Sequence, residues 1–220
     1  MEKIILFDMD GTLIDSTPAI YESFCVVFEK HKMPILSESE VAQYIGYPLD
    51  KMFGFFGVPN DKIAQCREDY GRHYRKICDD KTKMIDGALE AIKIASEFAN
   101  LGIVTTKNSQ SSKNLLAHFG VANHFSVMIG ANDVVNLKPH KEPILKALQG
   151  LESLGICAKA HNTFMIGDTI LDLMAAKSAG IVGFGVLCGY GVRKDLEQIS
   201  KFIFSDTLEA VKFAKSASYL

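Results

Sequence analysis

The chain has 220 residues, 48% of them hydrophobic and 23% charged, which is ordinary for a globular protein and allows one well-cored domain of about 150 residues plus a smaller one. Its formal net charge of -2 leaves no basic surplus for a nucleic-acid backbone, so nucleic acid is not an expected partner, although a local basic cluster can still hold a small anion. Five widely spaced cysteines without a C-x-x-C pair point to neither a zinc site nor a redox pair and read as reduced thiols of a cytoplasmic protein.

The chain opens with a short apolar run, Ile4–Phe7, that ends in two aspartates. It is too short for a signal peptide, and no later run approaches the roughly 20 apolar residues needed to span a bilayer. The run reads as a strand buried on both faces. Residues 16–83 have no comparable strand signal and read as helical throughout. Thr17-Pro18 suits an N-cap followed by proline at the first helical position, and Ile20, Phe24, Val27 and Phe28 then recur at helical spacing. Ser37 and Glu40 form a capping box for a helix ending near Gly46. Asn60 is the expected cap of a longer helix carrying Ile63, Tyr70, Tyr74 and Ile77 on one side. From residue 85 onward the pattern alternates. Strands are expected at Leu101–Thr105, Ser126–Ile129, Phe164–Ile166, Val182–Leu187 and Phe202–Phe204. Helices are expected at Ala88–Phe98, Ser112–Phe119, Pro143–Leu154 and Leu171–Ala179, with Gly120 and Gly180 at two C-termini. This predicts an α/β fold with a doubly wound parallel sheet. Residues 1–15 and 84–220 make the core, and residues 16–83 form a helical insert after the first strand.

Ligands of such sheets bind beyond the carboxyl ends of the strands, where four segments carry suitable polar groups. Asp8-Met9-Asp10-Gly11-Thr12 follows the first strand. One carboxylate can attack phosphorus, while the other protonates the leaving oxygen and later activates water. Gly11 permits a tight turn that brings backbone close to a ligand. Thr105-Thr106-Lys107-Asn108 offers hydroxyls and free amides to a phosphate oxygen. In Lys138-Pro139-His140-Lys141-Glu142-Pro143, Lys138 and Lys141 are rival sources of positive charge, and Lys138 is preferred because it precedes the first proline. Gly167-Asp168-Thr169-Ile170-Leu171-Asp172 supplies hard carboxylate oxygens suited to Mg²⁺. Asp168 sits at the strand end, and Asp172 either binds the ion or orients a water on it.

An aspartate pair, a threonine, a lysine and an acidic pair in this order resemble the four motifs of the haloacid dehalogenase-like hydrolase superfamily, over essentially the whole chain. FDMDGTLIDS, the Ile45-Gly46-Tyr47-Pro48-Leu49 stretch and Thr105-Thr106-Lys107 look like its phosphoglycolate-phosphatase-like subgroup, whose helical cap occupies the position of residues 16–83. Thr106 stands where that family often has Asn, and Lys141 where it often has a second Pro. The resemblance implies a Rossmann-like core, a cap, and a phosphatase acting through an aspartyl-phosphate on Asp8. It makes Asp8 the nucleophile and a metal ligand, and Asp10 the acid/base with its backbone carbonyl on the metal. Thr105 and Lys138 would hold the phosphoryl group, with Gly11, Thr12 and Thr106 as further substrate contacts. Asp168 would ligate Mg²⁺, supported by Asp172. The expected partner is a small phosphorylated metabolite, with no membrane, for a monomer or homodimer. A phosphomutase of the β-phosphoglucomutase kind and a non-catalytic phosphate-binding protein are the rival readings, since fold does not fix function. Arg72, His73 and Arg75 in the insert are candidate anion contacts, although a solvated helix face explains each as well.

Overall fold

The computed structural model describes residues 3–217. Its main sheet has six parallel strands: β1 (Lys3–Phe7), β4 (Ala99–Val104), β5 (Phe125–Ile129), β6 (Thr163–Gly167), β7 (Val182–Val186) and β8 (Ile203–Phe204). Their order is β5-β4-β1-β6-β7-β8, so β1 lies near the middle and the chain winds outward from it both ways. Successive strand residues face opposite sides of a sheet, and β1 accordingly divides its apolar run between two cores. Ile5 and Phe7 pack with Ala91 and Ile92 of α5 (Ala88–Ser96), Leu115 and Leu116 of α6 (Ser109–His118), and Val211 of α10 (Thr207–Ser216). Ile4 and Leu6 pack with Ile144 and Leu151 of α7 (Glu142–Ser153) and with Ala175 and Ala176 of α8 (Ile170–Ala179). This is the doubly wound sheet that the apolar runs predict.

Between β1 and α5 lie α1 (Thr17–Lys30), α2 (Glu38–Ala42), α3 (Leu49–Phe55) and α4 (Asn60–Lys81). They enclose a core of their own in which Phe24 meets Phe28, Phe53, Phe56 and Tyr70 at centroid distances of 5.0–6.0 Å. The Ser37–Glu40 capping box forms at α2. Three local expectations differ. Ser16, not Thr17, precedes α1, which puts Pro18 at the second helical position. Pro59 precedes α4, so Asn60 is its first residue. The helix at Ser37 ends at Ala42, and the chain reaches Gly46, at φ +102°, through turns. Phe53 is fully buried, while Tyr44 stacks on the half-exposed Phe55.

The sequence reading passed over a two-stranded ribbon and the two helices nearest the C-terminus. β2 (Ile14–Asp15) and β3 (Lys83–Met84) pair antiparallel where the chain leaves and re-enters the sheet unit. Strands of two residues are too short to show a period. The C-terminal α10 is capped by Asp206, whose carboxylate accepts from the Glu209 N–H at 2.8 Å, and it buries Ala210, Val211 and Ala214. α9 (Arg193–Leu196) is a single turn that buries Leu196. Among the described residues no helix is long and apolar enough to cross a membrane.

The helical insert carries one buried charge. Asp69 of α4 accepts from Lys30 at 2.6 Å and meets His31 Nε2 at 2.9 Å, tying α4 to the end of α1. Hydrogen bonds from Lys30 and His31 hold its carboxyl down at about 2. Asp69→Asn is expected to lower the unfolding free energy at pH 7 by about 1–2 kcal/mol, less than a fully buried pair would because Lys30 is half exposed. A carboxyl whose folded pKa is depressed stabilises the fold above its unfolded pKa near 4 and ceases to do so as pH falls through the folded value. Urea denaturation should therefore show the gap between variant and wild type narrowing from pH 4 toward pH 2, and a gap of constant size across that range would contradict this account.

Candidate active site

The parallel arrangement brings the carboxyl ends of β1, β4 and β6 side by side. Asp8 continues β1, its N–H donating to the Ile166 carbonyl at 2.9 Å, and Thr105 continues β4 through a 2.9 Å bond to the Ile129 carbonyl. Lys138 comes from the loop before α7. Its ammonium lies 2.8 Å from Asp8 Oδ1 and 2.6 Å from Asp172 Oδ1, and donates to the Val104 carbonyl at 2.9 Å. Lys138 is buried, whereas Lys141 is exposed at the start of α7, so Lys138 is the lysine that faces the carboxylates.

Asp168 is held from three sides. Oδ1 accepts from the Thr12 hydroxyl at 3.1 Å, and Oδ2 accepts from the Tyr190 N–H at 2.8 Å. Glycines pack against its remaining surface: a Cβ at Gly11 or Gly189 would overlap its carboxylate, and one at Gly191 its carbonyl oxygen. Gly11 also needs the left-handed backbone, at φ +81°. Asp172 Oδ2 accepts from the Thr169 hydroxyl at 2.7 Å and from the Thr169 N–H at 3.0 Å, which closes the first turn of α8.

Asp8, Asp168 and Asp172 offer one oxygen each within 4.8 Å of one another, all of them buried. If all three carboxylates ionise, the Lys138 ammonium balances one of them and two negative charges remain among buried groups. Burial, opposed by Lys138 and reinforced by Asp172 and Asp10, pushes Asp8 up to about 7. Burial followed by Asp172 and Asp8 drives Asp168 well above the carboxylate range. Lys138 feels the reverse: burial pulls it down, but Asp172 and Asp8 outweigh this and raise it. Hard oxygen donors whose ionised forms this crowding disfavours suit a divalent cation, which would take the place of the protons.

The other sequence candidates are placed differently. The Asp10 carboxylate stands outside this cluster, paired with Lys107 at 2.9 Å and accepting from the Ser16 hydroxyl. Lys107 is mostly buried. Burial pulls its pKa down, and Asp10, joined by Tyr74 and Tyr70, more than restores it. The Thr105 hydroxyl is buried and accepts from the Lys107 N–H at 3.2 Å. The Thr106 hydroxyl donates to the Gly46 carbonyl at 3.1 Å, which joins the core to the insert. Arg72 pairs with Glu68 and His73 with Glu22 inside the insert, so neither is free for an anion. Sequence reasoning missed Ser16, Tyr190 and Gly189. It saw Lys107 without assigning it a partner. A cavity of about 780 Å³ opens at the seam between insert and core, with Pro48 and Lys51 on one side and Lys138, Pro139 and Lys141 on the other.

The chain matches the family model described as haloacid dehalogenase-like hydrolase over residues 5–186. The pyrophosphatase PpaX of Halalkalibacterium halodurans is 31% identical over 86% of this chain and 84% of its own length. A phosphoglycolate phosphatase of Yersinia pseudotuberculosis is 30% identical over 84% of this chain and 81% of its own. A solved haloacid dehalogenase-like family hydrolase from Streptococcus pneumoniae superposes with a TM-score of 0.84 at 23% identity, covering 96% of this chain and 98% of that one.

The glycine cage around Asp168 can be tested. Gly189→Ala forces overlap with both the Asp168 carboxylate and the Gly11 carbonyl, and is expected to cost about 1–3 kcal/mol. Gly54→Ala in α3 meets nothing within 4 Å and should be neutral or slightly stabilising, since glycine is the weaker helix former. Thermal melts of the two variants should move apart, and a Gly189→Ala melt as high as wild type would contradict the packing argument.

Proposed function

The chain belongs to the haloacid dehalogenase-like hydrolase family and is a phosphatase, and from that premise we propose that it hydrolyses a small phosphoglycolate-like phosphate monoester through an aspartyl-phosphate on Asp8, with Mg²⁺ as cofactor. The observation that carries this reading is the Lys138 ammonium lodged between Asp8 and Asp172 while Asp168 adds a third buried carboxylate. Asp8 and Asp168, with the Asp10 backbone carbonyl, would hold the metal. Asp172, already engaged by Lys138 and Thr169, would orient its surroundings. When bound, Mg²⁺ would neutralise the two surplus charges and so let a phosphate dianion approach a carboxylate nucleophile.

In the first half-reaction an Asp8 oxygen forms a bond to phosphorus as the ester P–O bond breaks, and Asp10 gives its proton to the departing alcohol. In the second, Asp10 takes a proton from water, whose oxygen attacks phosphorus and releases Asp8 and inorganic phosphate. Lys138 and Thr105 hold phosphoryl oxygens, with Gly11, Thr12 and Thr106 forming the wall nearby. The helical insert acts as a cap that excludes water from the acyl-phosphate. Phosphoglycolate leads the substrate choice by likeness to the Yersinia enzyme, with pyrophosphate next by likeness to the Halalkalibacterium one.

Hydrolysis of p-nitrophenyl phosphate tests the class: turnover should require Mg²⁺ and vanish with EDTA, and a folded sample with Mg²⁺ and no turnover defeats the proposal. Asp8→Asn should abolish turnover while leaving the melt intact, so activity within tenfold of wild type removes Asp8 as nucleophile. Lys138→Ala should lose about 10²–10³ in kcat, the usual cost of one preorganised stabilising group. Lys141→Ala should stay within a few-fold, and the opposite ranking would reassign the lysine.

A further inference from the structure

Tyr190 is tied at its two ends to different parts of the molecule. It lies in the turn after β7, between Gly189 and Gly191, and its N–H donates to Asp168 Oδ2 at 2.8 Å. A Cβ at either glycine would overlap Asp168, so the turn lies close against that residue, and Tyr190 carries the one side chain of the three. That side chain belongs to the other unit. Its ring packs against the core of the helical insert, and its hydroxyl meets the hydroxyl of Thr17, the first residue of α1, at 2.9 Å. Core and insert touch elsewhere: Thr106 donates to the Gly46 carbonyl, and the Lys107 ammonium lies 4.7 Å from the centroid of the Tyr74 ring. Neither of those contacts involves Asp8, Asp168 or Asp172.

We propose that Tyr190 is a positioning residue for the metal site, and that through it the affinity for a divalent cation depends on how the helical insert is seated. The inference rests on the reading of Asp168 as a Mg²⁺ ligand. A main-chain donor moves with the side chain of its own residue. Gly189 and Gly191 have no side chains to anchor the turn elsewhere, so the Tyr190 N–H is placed by packing against Asp168 on one side and by the seat of the ring on the other. With the insert seated, the ring holds the N–H on Oδ2, and this fixes the direction in which the carboxylate faces Asp8 and Asp172. With the insert displaced, the ring follows it and the N–H leaves the carboxylate. Loss of such an outer contact to a ligating group commonly costs about 10–100-fold in metal affinity. Linkage is reciprocal, so a bound cation holds the insert seated by the same factor.

The test is calorimetric titration of the full chain with Mg²⁺ alone, paired with amide hydrogen exchange. Tyr190→Ala removes the ring and the hydroxyl and keeps the N–H, so the donor to Asp168 is still present. Its Kd for Mg²⁺ should rise about tenfold, the lower end of the range for outer contacts. Tyr190→Phe keeps the ring in place and loses the Thr17 contact alone, and its Kd should rise about threefold, within the worth of one hydrogen bond. In wild type, saturating Mg²⁺ should slow exchange in α1 and α4, and this protection should shrink in Tyr190→Ala. A Tyr190→Ala Kd within twofold of wild type overturns the proposal, because the glycines would then hold the N–H unaided. A raised Kd with the Mg²⁺ protection of the insert intact also overturns it, since only local damage to the turn would remain as the cause. Should Tyr190→Ala unfold, Tyr190→Phe decides by the same two readouts, and no change in either defeats the idea. A folded wild type that binds no Mg²⁺ sinks the metal reading and this inference together, whereas a wild type that binds it beside unaltered variants sinks this inference alone.

Discussion

One ammonium among three buried carboxylates is the constraint on which the rest of the site depends. Lys138 reaches Asp8 and Asp172 and leaves Asp168 without a cation of its own. Removing carboxylates from water is expensive unless opposite charge and hydrogen bonds compensate. The surrounding structure supplies what it can: the Thr12 hydroxyl and the Tyr190 N–H for Asp168, and Thr169 for Asp172. What the chain does not neutralise is left for a cation. Asp10 is treated differently, since Lys107 balances it alone. The six ionisable groups thus divide into a neutral pair, Asp10 with Lys107, and a carboxylate-rich quartet, Asp8, Asp168 and Asp172 around Lys138, only two residues apart in sequence at Asp8 and Asp10.

The sheet fixes this division. Asp8 continues β1 with its N–H on the Ile166 carbonyl of β6, and β4 lies on the other side of β1, so Asp8, Thr105 and Asp168 leave neighbouring strands at the same edge. Three side-chain contacts join the helical insert to that edge. Thr106 holds the Gly46 carbonyl, Thr17 meets the Tyr190 hydroxyl at 2.9 Å, and Lys107 sits under Tyr74. Tyr190 serves both units, since its N–H orients Asp168 while its ring packs into the insert core.

Much of this was legible in the residues. Apolar runs such as Ile4–Phe7 and Phe164–Ile166 announce strands buried on both faces, and polar residues placed directly after them mark the ligand edge of a parallel sheet. Pairings that act through the main chain were not legible: the Tyr190 N–H on Asp168 could come from any residue but proline. Gly189 and Gly191 matter through the space they leave, which is visible only once Asp168 is beside them. Lys107 stood in plain sight in Thr105-Thr106-Lys107, yet its partner Asp10 is remote in sequence and Tyr74 lies on a different element. The β2–β3 ribbon has two residues per strand, and α10 fills its core face partly with alanines, so neither stands out as an apolar period.

That ribbon separates two design problems. Ile14 faces Met84 and Asp15 faces Lys83, so the polypeptide departs from the sheet unit and returns to it at a single spot. Seen from the sheet, everything in between is a closed excursion whose ends are already joined. Lengthening, shortening or exchanging that excursion changes nothing in the registry that sets Asp8 against Ile166. The carboxylates and ammonium at that edge can therefore stay fixed across descendants of this architecture, while the covering helices are free to drift.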